Sequence, residues 1–260
     1  MTGKVWRLTN LFFDFDDTLS EHALFNEQYA LALGNELVAR FGTKGKAETE
    51  WVECVVSMFR TLQQDYVARF ADNSVNGYND WYTVLPARAI ELVFGGMRMP
   101  LPPEPKRIAV EMLRCALNKC DATFAGVSEA LHALLEQGHT LHLASGNDSL
   151  HLAAALTGAG IADCFDRLYG PDLIDCAKEG TEFYRRLFTS SGIAPATAIV
   201  IDNDPNAVHW AQEAGAKAIL VQLLDGLPPA ETEAMLSGVP IVTAFSQLPE
   251  AIAKIVRSQN

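Results

Sequence analysis

The chain has 260 residues, 49% of them apolar, and 32 acidic against 20 basic side chains give a formal charge of −12. It is long enough to bury a sizeable core as one large domain or two modest ones. The negative charge disfavours nonspecific binding to nucleic acid or to anionic membranes. It would also repel an anionic ligand, so a site for one must be made locally positive by metal, lysine and backbone amides.

The five cysteines include no CxxC pair, which argues against a disulfide framework and against a zinc site. We expect reduced and mostly packed thiols. Residues 1–10 hold no apolar stretch of signal-peptide type, and no run of eighteen apolar residues occurs. These features predict a soluble, cytoplasmic protein. The cysteines are Cys54, Cys115, Cys120, Cys164 and Cys176.

The first predicted element is a buried strand over the apolar run 11–13. Between Ser20 and Asp121 the pattern is helical, with no convincing strand, which predicts an all-α insertion. Within it we predict helices over 24–41 and 49–70, a polar and aromatic loop over 73–82, and a stiff proline-rich connector over 100–105.

From Ala125 onward, helix-like and strand-like segments alternate at short spacing, which is typical of a parallel sheet covered by helices on both faces. The predicted fold class is therefore α/β, a Rossmann-like three-layer core with a mainly parallel sheet. Residues 1–20 and 121–260 would form this core, and residues 21–120 a helical domain. The predicted strands are 140–144, 167–169, 198–201, 217–221 and 240–244, and the predicted helices are 128–137, 148–156, 181–188 and 205–214.

The segment Asp14-Phe15-Asp16-Asp17-Thr18-Leu19 places two carboxylates two positions apart at the carboxyl end of the first strand, where a parallel sheet delivers side chains into a crevice. Carboxylates this close repel each other unless a cation or a shared proton holds them together. Magnesium is the ordinary solution for such oxygen ligands. The alternative is a polar turn in which Asp17 or Thr18 caps the following helix.

Three later strand ends carry polar residues that would meet the first pair at one sheet edge: Ser145-Gly146-Asn147, then Lys178, then Asp202 with Asn206. An acid pair, a small hydroxyl beside a glycine, a lysine and a further acid are the inventory for phosphoryl transfer through an enzyme carboxylate.

In order and spacing, these four motifs resemble the haloacid dehalogenase superfamily. Its DxDxT motif is matched by Asp14, Asp16 and Thr18, its second motif by Ser145, its third by Lys178 and its fourth by the segment 199–206. The likeness covers the core and extends to the insertion only in position and helical character. It implies a magnesium-dependent hydrolase of a small phosphomonoester, with the inserted helices as a cap.

The resemblance implies roles for the matching residues. Asp14 would attack phosphorus, Asp16 would protonate the leaving oxygen and later activate water, and Lys178 would balance negative charge. Magnesium would be bound by Asp14, the backbone carbonyl of Asp16, and Asp202.

Substrate binding would fall to Ser145, Gly146, Asn147 and Lys178, with Thr18 chiefly holding the loop and Asp16 in place. For the segment after Ser145, the alternative is a simple turn in which Asn147 or Asp148 caps the next helix.

Two residues depart from the usual fourth motif: Ile201 stands where many relatives have Gly or Asp, and Asn206 where a second Asp is more usual. Asn206 could support the site by ordering Lys178 or a metal-bound water, but it brings no charge. Asp204 is expected to cap the next helix.

The scattered histidines are expected at the surface or the core edge, and they are His22, His132, His139, His142, His151 and His209. Aromatic residues at helical spacing are expected in the core of the cap, and they are Trp51, Phe59, Tyr66 and Phe70. Tyr78, Trp81 and Tyr82 could instead form a wall over the substrate.

Within the family, a dehalogenase is disfavoured, because those enzymes carry no second acid at the position of Asp16. A sugar-phosphate mutase remains an alternative, as does a catalytically silent protein that senses phosphate or binds a partner. The expected partner is a small phosphorylated metabolite, without nucleic acid or membrane, and the expected state is monomer or homodimer.

Overall fold

The structure is a computed structural model that describes residues 9–42, 46–70, 75–224 and 236–257. Residues 1–8 lie outside the described residues, as does the start of the predicted loop, including Asn73. Within the described residues, no helix is both long and apolar enough to cross a membrane.

Six strands form one sheet with the order β3-β2-β1-β4-β5-β6, and every neighbouring pair is parallel. The predicted α/β class and parallel sheet are confirmed. The strands are β1 Asn10–Phe13, β2 Thr140–Ala144, β3 Arg167–Tyr169, β4 Ala198–Asp202, β5 Lys217–Val221 and β6 Ile241–Val242.

The last strand is shorter than the predicted 240–244. Pro240 has no N–H to donate, although its carbonyl still accepts from the N–H of Leu220. On the other side, the N–H of Thr243 turns to the side chain of Gln247 instead of pairing along the sheet. Both ends of the edge strand are therefore cut short.

Ten helices surround the sheet or fill the insertion within the described residues. They are α1 His22–Phe41, α2 Glu48–Phe70, α3 Tyr78–Gly96, α4 Pro105–Leu117, α5 Val127–Glu136, α6 Ser149–Gly158, α7 Pro171–Ile174, α8 Thr181–Ser191, α9 Pro205–Glu213 and α10 Leu248–Arg257.

Both faces of the sheet are covered, because alternate side chains of each strand enter different cores. Leu11 and Phe13 belong to a cluster that contains most of the buried residues of α5 and α10, whereas Phe12 belongs to one that includes buried residues of α8 and α9. This is the expected three-layer arrangement.

The insertion consists of α1 to α4, with α1 packed on α2 and α4, and α3 packed on the same two helices. Its division from the core at residues 21–120 stays a prediction. The predicted loop over 73–82 is wrong from Tyr78 onward, because α3 begins there. Gly77, at φ +72°, turns the chain into this helix, and the rings of Tyr78, Trp81 and Tyr82 then pack at helical spacing.

The described cysteines are free thiols, as expected, and three of the five are buried. The remaining two are the half-buried Cys54 and the exposed Cys115.

Candidate active site

The carboxyl ends of β1, β2 and β4 meet at one edge of the sheet, with β1 between the other two. Asp14 follows β1 directly, and its backbone N–H donates to the carbonyl of Ile201 at 2.9 Å. Ser145 follows β2 and Asp202 ends β4, so they flank Asp14 on opposite sides. Asp14, Ser145 and Asp202 are all buried, although buried positions usually hold apolar residues.

Lys178 joins the two carboxylates at this edge. Its Nζ donates to Asp14 Oδ1 at 2.7 Å, to Asp202 Oδ2 at 2.7 Å and to the carbonyl of Ala144 at 3.1 Å. All three ammonium protons therefore have acceptors. The hydroxyl of Tyr184 lies 3.4 Å from Asp202 Oδ2, and the sequence pattern did not indicate this neighbour.

Charge in this buried cluster is unbalanced, since two carboxylates share one ammonium. Burial raises the pKa of Asp14 from 3.8 to about 7. The attraction of Lys178 lowers this pKa, but the negative charges of Asp202 and Asp16 oppose that effect. Burial alone would lower the pKa of Lys178, but the two carboxylates outweigh it and hold that pKa well above its ordinary value. An additional positive charge beside Asp14 would therefore be electrostatically favourable.

Each carboxylate oxygen of Asp16 contacts a polar side chain. Asn147 Nδ2 donates to Oδ2 at 2.7 Å, and His22 Nδ1 lies 3.3 Å from Oδ1. Burial would raise the pKa of Asp16, but the hydrogen bond and charge of His22 and the bond from Asn147 together lower it. His22 lies at the surface, as expected of the histidines, but the sequence did not predict its direct contact with this acid.

His22 has a second partner, because its Nε2 lies 2.8 Å from the side-chain nitrogen of Asn26. The hydrogen bond to Asp16 raises the pKa of His22. His151, on α6, packs against the rings of Phe25 and Tyr29, and burial lowers its pKa. Neither histidine could be assigned from sequence spacing, because each reaches the site from a different helix.

The turn between Asp16 and α1 is consistent with helix capping by Asp17 and with a loop-holding role for Thr18. Asp17 adopts φ +52°, and its carboxylate accepts from the N–H of His22 at 2.9 Å, so it caps the first turn of α1. Thr18 Oγ1 donates to Asn203 Oδ1 at 3.1 Å and accepts from the N–H of Asn203 at 3.0 Å. Thr18 thus ties the acidic turn to the end of β4.

After β2, two neighbouring residues take the two predicted roles: Asp148 caps the next helix, and Asn147 contacts the site. Asp148 caps α6 by accepting from the N–H of His151, which leaves Asn147 free to bond Asp16. The backbone N–H of Asn147 lies 3.4 Å from Ser145 Oγ. A Cβ added to Gly146 would lie 4.0 Å from that of Lys178, an ordinary contact, so packing within the chain does not require a glycine there.

A glycine that the sequence did not single out is more constrained. A Cβ added to Gly170 would come within 2.7 Å of the carbonyl of Asn147 and 2.8 Å of the N–H nitrogen of Ser149. Gly170 therefore allows the loop after β3 to pack closely against the loop that carries Asn147.

The structure does not bring Asn206 to Lys178. Its side chain is exposed, and its amide donates to Asp204 Oδ1 at 3.1 Å. Asp204 caps α9, as predicted, by accepting from the N–H of Asn206. Asn203, which directly follows β4, contacts Thr18 in the turn after Asp16 instead.

Helices of the insertion reach both loops of this site. The hydroxyl of Tyr66 donates to Glu179, next to Lys178, at 2.9 Å, and that of Tyr82 donates to Asp148 at 3.0 Å. The N–H of Ala177 donates to the carbonyl of Val75. A ring cluster packs on Ala177, and its members are Tyr66, Phe70, Tyr78, Trp81 and Tyr82. Tyr66 thus packs among rings of the insertion and also contacts the segment that carries Lys178.

The donor set fits a magnesium ion that is completed by substrate and water. No group of three His, Cys, Asp or Glu side chains within the described residues is spaced to hold a metal. Magnesium needs only one or two carboxylates when it keeps waters and substrate phosphate oxygens. Asp14 and Asp202 supply two carboxylates, and the raised pKa of Asp14 reports negative charge that a cation would neutralise.

A family model described as haloacid dehalogenase-like hydrolase matches residues 9–215. The chain therefore belongs to the haloacid dehalogenase-like hydrolases, as its motifs indicated. A comparison with curated protein sequences finds no significant match.

Solved structures share the fold at low identity. A 2-haloacid dehalogenase from Pseudomonas syringae pv. Tomato DC3000 is 20% identical, with 95% of this chain and 99% of that one covered and a TM-score of 0.66. A predicted phosphoglycolate phosphatase from Haemophilus somnus 129pt is 19% identical, with 94% and 97% covered and a TM-score of 0.53. The HAD-hydrolase YfnB from Bacillus subtilis, bound to magnesium, is 16% identical, with 94% and 98% covered and a TM-score of 0.56. At these identities the likeness concerns the fold.

Proposed function

We propose that the protein is a magnesium-dependent phosphohydrolase that cleaves a small phosphomonoester through an aspartyl-phosphate intermediate. The observation that carries the proposal is the pair of acids in different surroundings. Asp14 is buried against Lys178, whereas Asp16 is partly exposed and held by His22 and Asn147. With magnesium bound, the pKa of Asp14 would fall and Asp14 would stay ionised as a nucleophile, and the separate surroundings of Asp16 leave that carboxylate for acid–base work.

In the first step, Asp14 attacks phosphorus, and the bond from phosphorus to the leaving oxygen breaks. Asp16 is ionised in the free protein because its pKa is lowered, so it would take up a proton when the negative charge of the substrate raises that pKa. It would then pass the proton to the leaving oxygen, so that the alcohol leaves neutral. In the second step, Asp16 takes a proton from water, which attacks the aspartyl phosphate and regenerates Asp14. Lys178, with acceptors on both carboxylates, keeps Asp14 oriented and offsets negative charge near phosphorus.

When bound, magnesium would be held by Asp14, Asp202 and the backbone carbonyl of Asp16, and it would neutralise phosphate charge. Ser145 and the backbone around Gly146 would contact the phosphate. Asn147 would serve by holding Asp16, and Thr18 by fixing the acidic turn to Asn203. The relative bound to magnesium supports this choice of metal.

The helical insertion would act as a cap that selects the leaving group and excludes bulk water. Tyr66 and Tyr82 suit such a wall, because their hydroxyls already reach residues next to Lys178 and Asn147. A small phosphorylated metabolite is the proposed partner, in the cytoplasm and without nucleic acid.

Dehalogenation is the rival activity suggested by relatives such as the Pseudomonas enzyme. Halide is a stable anion that leaves without a proton, so Asp16 and its two supports would have no task at that step. A sugar-phosphate mutase would use both acids but would release no net phosphate. A silent sensing protein would hydrolyse nothing.

The test measures phosphate release from p-nitrophenyl phosphate and from an alkyl phosphate, with magnesium and with chelator, by wild type and Asp14→Asn. We expect metal-dependent release that Asp14→Asn abolishes. Halide release from 2-chloropropionate, measured alongside, would favour a dehalogenase. Conversion of a hexose phosphate without phosphate release would favour a mutase, and no turnover of any substrate would contradict the proposal.

A further inference from the structure

His22 occupies a junction between the acid–base carboxylate and the insertion. It is the first residue of α1, and the carboxylate of Asp17 fixes its backbone N–H at 2.9 Å. Its ring lies on Asp16 through Nδ1 and on Asn26 through Nε2. Three contacts therefore set the position of a side chain that is still 51% exposed.

The Nδ1 atom of His22 faces Asp16, and the contact between Nε2 and Asn26 determines whether Nδ1 carries a proton. When the amide of Asn26 donates to Nε2, a neutral imidazole carries its one proton on Nδ1. A protonated ring carries a proton on both nitrogens, and it keeps its bond to Asn26 only if that amide turns its oxygen toward Nε2. In either form, His22 presents an Nδ1–H donor to Asp16 Oδ1.

The two supports of Asp16 come from different parts of the chain. Asn147 belongs to the loop after β2, in the core, and its amide holds Oδ2 at 2.7 Å. His22 belongs to α1, in the insertion, and faces Oδ1 at 3.3 Å. Each carboxylate oxygen has a further lone pair, so both supports can stay in place while Asp16 exchanges a proton with the leaving group or with water.

We propose that His22 is a positioning residue that aims Asp16 at the leaving oxygen and makes this aim depend on the seating of helix α1. This inference rests on the proposed phosphohydrolase function. A movement of α1 away from the core would remove one support from Asp16, and the carboxylate could then rotate on Asn147 alone. Efficient proton transfer would thus be confined to the state in which α1 is in place.

The leaving group provides the test, because a poor leaving group depends on proton donation and a good one does not. General acid catalysis contributes roughly 100-fold to 10,000-fold. For His22→Leu we expect kcat/KM to fall about 10-fold to 100-fold for an alkyl phosphate, and less than about 3-fold for p-nitrophenyl phosphate. His22→Asn keeps a donor near the position of Nδ1 and should recover most of the loss.

Two controls separate positioning from a general structural effect. His132→Leu makes the same change at a helix residue whose ring nitrogen contacts Ser128, and both esters should be unaffected. In an Asp16→Asn background, His22→Leu should cause no additional loss, because its effect passes through that carboxylate.

The outcomes distinguish this proposal from the one beneath it. If wild type is active but His22→Leu slows both esters equally, or slows neither, the positioning role is overturned while the phosphohydrolase stands. An additional loss in the Asp16→Asn background would also overturn it. If wild type cleaves neither ester, the proposed function fails, and the positioning role fails with it.

Discussion

Asp14→Asn should make the protein more stable at neutral and alkaline pH while abolishing its activity. The carboxylate is buried, and Lys178, its one cationic partner among the described residues, is shared with Asp202. Removing the charge of Asp14 leaves one carboxylate with one ammonium. The cluster then becomes balanced.

The magnitude follows from the pKa of Asp14. Its folded value of about 7, against an ordinary 3.8, corresponds to roughly 4 kcal/mol of stability lost once the group is ionised. Between those two pH values the folded state binds more protons than the unfolded state, so wild-type stability falls as pH rises through this range. The variant has no such proton to lose. We therefore expect its advantage to grow from near zero at pH 4 to about 2–4 kcal/mol at pH 8.

Urea unfolding in the presence of chelator measures this difference without a contribution from metal binding. Asp163→Asn is the matched control, because it neutralises an exposed carboxylate and should change little at either pH. A variant that is no more stable than wild type at pH 8 would show that Asp14 is adequately compensated by Lys178. The site would then carry no excess negative charge, and an additional cation beside Asp14 would not be favoured.

Three further predictions concern stability. Lys178→Met should cost about 3–5 kcal/mol in urea unfolding at pH 8, because it strands two buried carboxylates; Lys254→Met, which breaks an exposed pair with Glu250, should cost less than about 1 kcal/mol, and equal losses would contradict the prediction. Gly170→Ala should lower stability by about 1–3 kcal/mol through overpacking and should also slow turnover, whereas Gly95→Ala, in open space on a helix, should do neither. Burial lowers the pKa of His139, so acid should destabilise wild type more than His139→Gln as pH falls below about 6.5, by up to ~1.4 kcal/mol per pH unit; parallel pH profiles would refute this.

Hydrophobic patterning was informative about the core because a buried parallel strand must be apolar on both faces. The run at β1 and most of the runs at β2 and β4 meet this condition, although β2 includes the buried His142. The polar residues just after these strands converge because neighbouring parallel strands end at the same edge. The same reasoning failed for 78–82. There, polar and aromatic composition suggested a loop, but the rings pack at helical spacing after Gly77.

Contacts between distant segments could not be predicted in this way. His22 and Asn147 are far apart in the chain and meet only because α1 and the loop after β2 both approach Asp16. Likewise Asn206 does not reach Lys178, because helix α9 begins at Pro205 and turns this side chain outward, whereas Asn203 reaches Thr18. Spacing along one chain carries no information on such approaches.

By itself, the sequence determined the α/β class, the parallel sheet, the helical insertion and the residues that gather at the sheet edge, because period, burial and strand direction are local properties. Tertiary structure alone decided the charge balance around Asp14, the two supports of Asp16 and the contacts of the insertion with both loops. Those depend on distances between groups that chain connectivity does not fix. Electrostatic interactions vary with such distances and with the surrounding dielectric, so the chemistry of the site emerges only from the folded molecule.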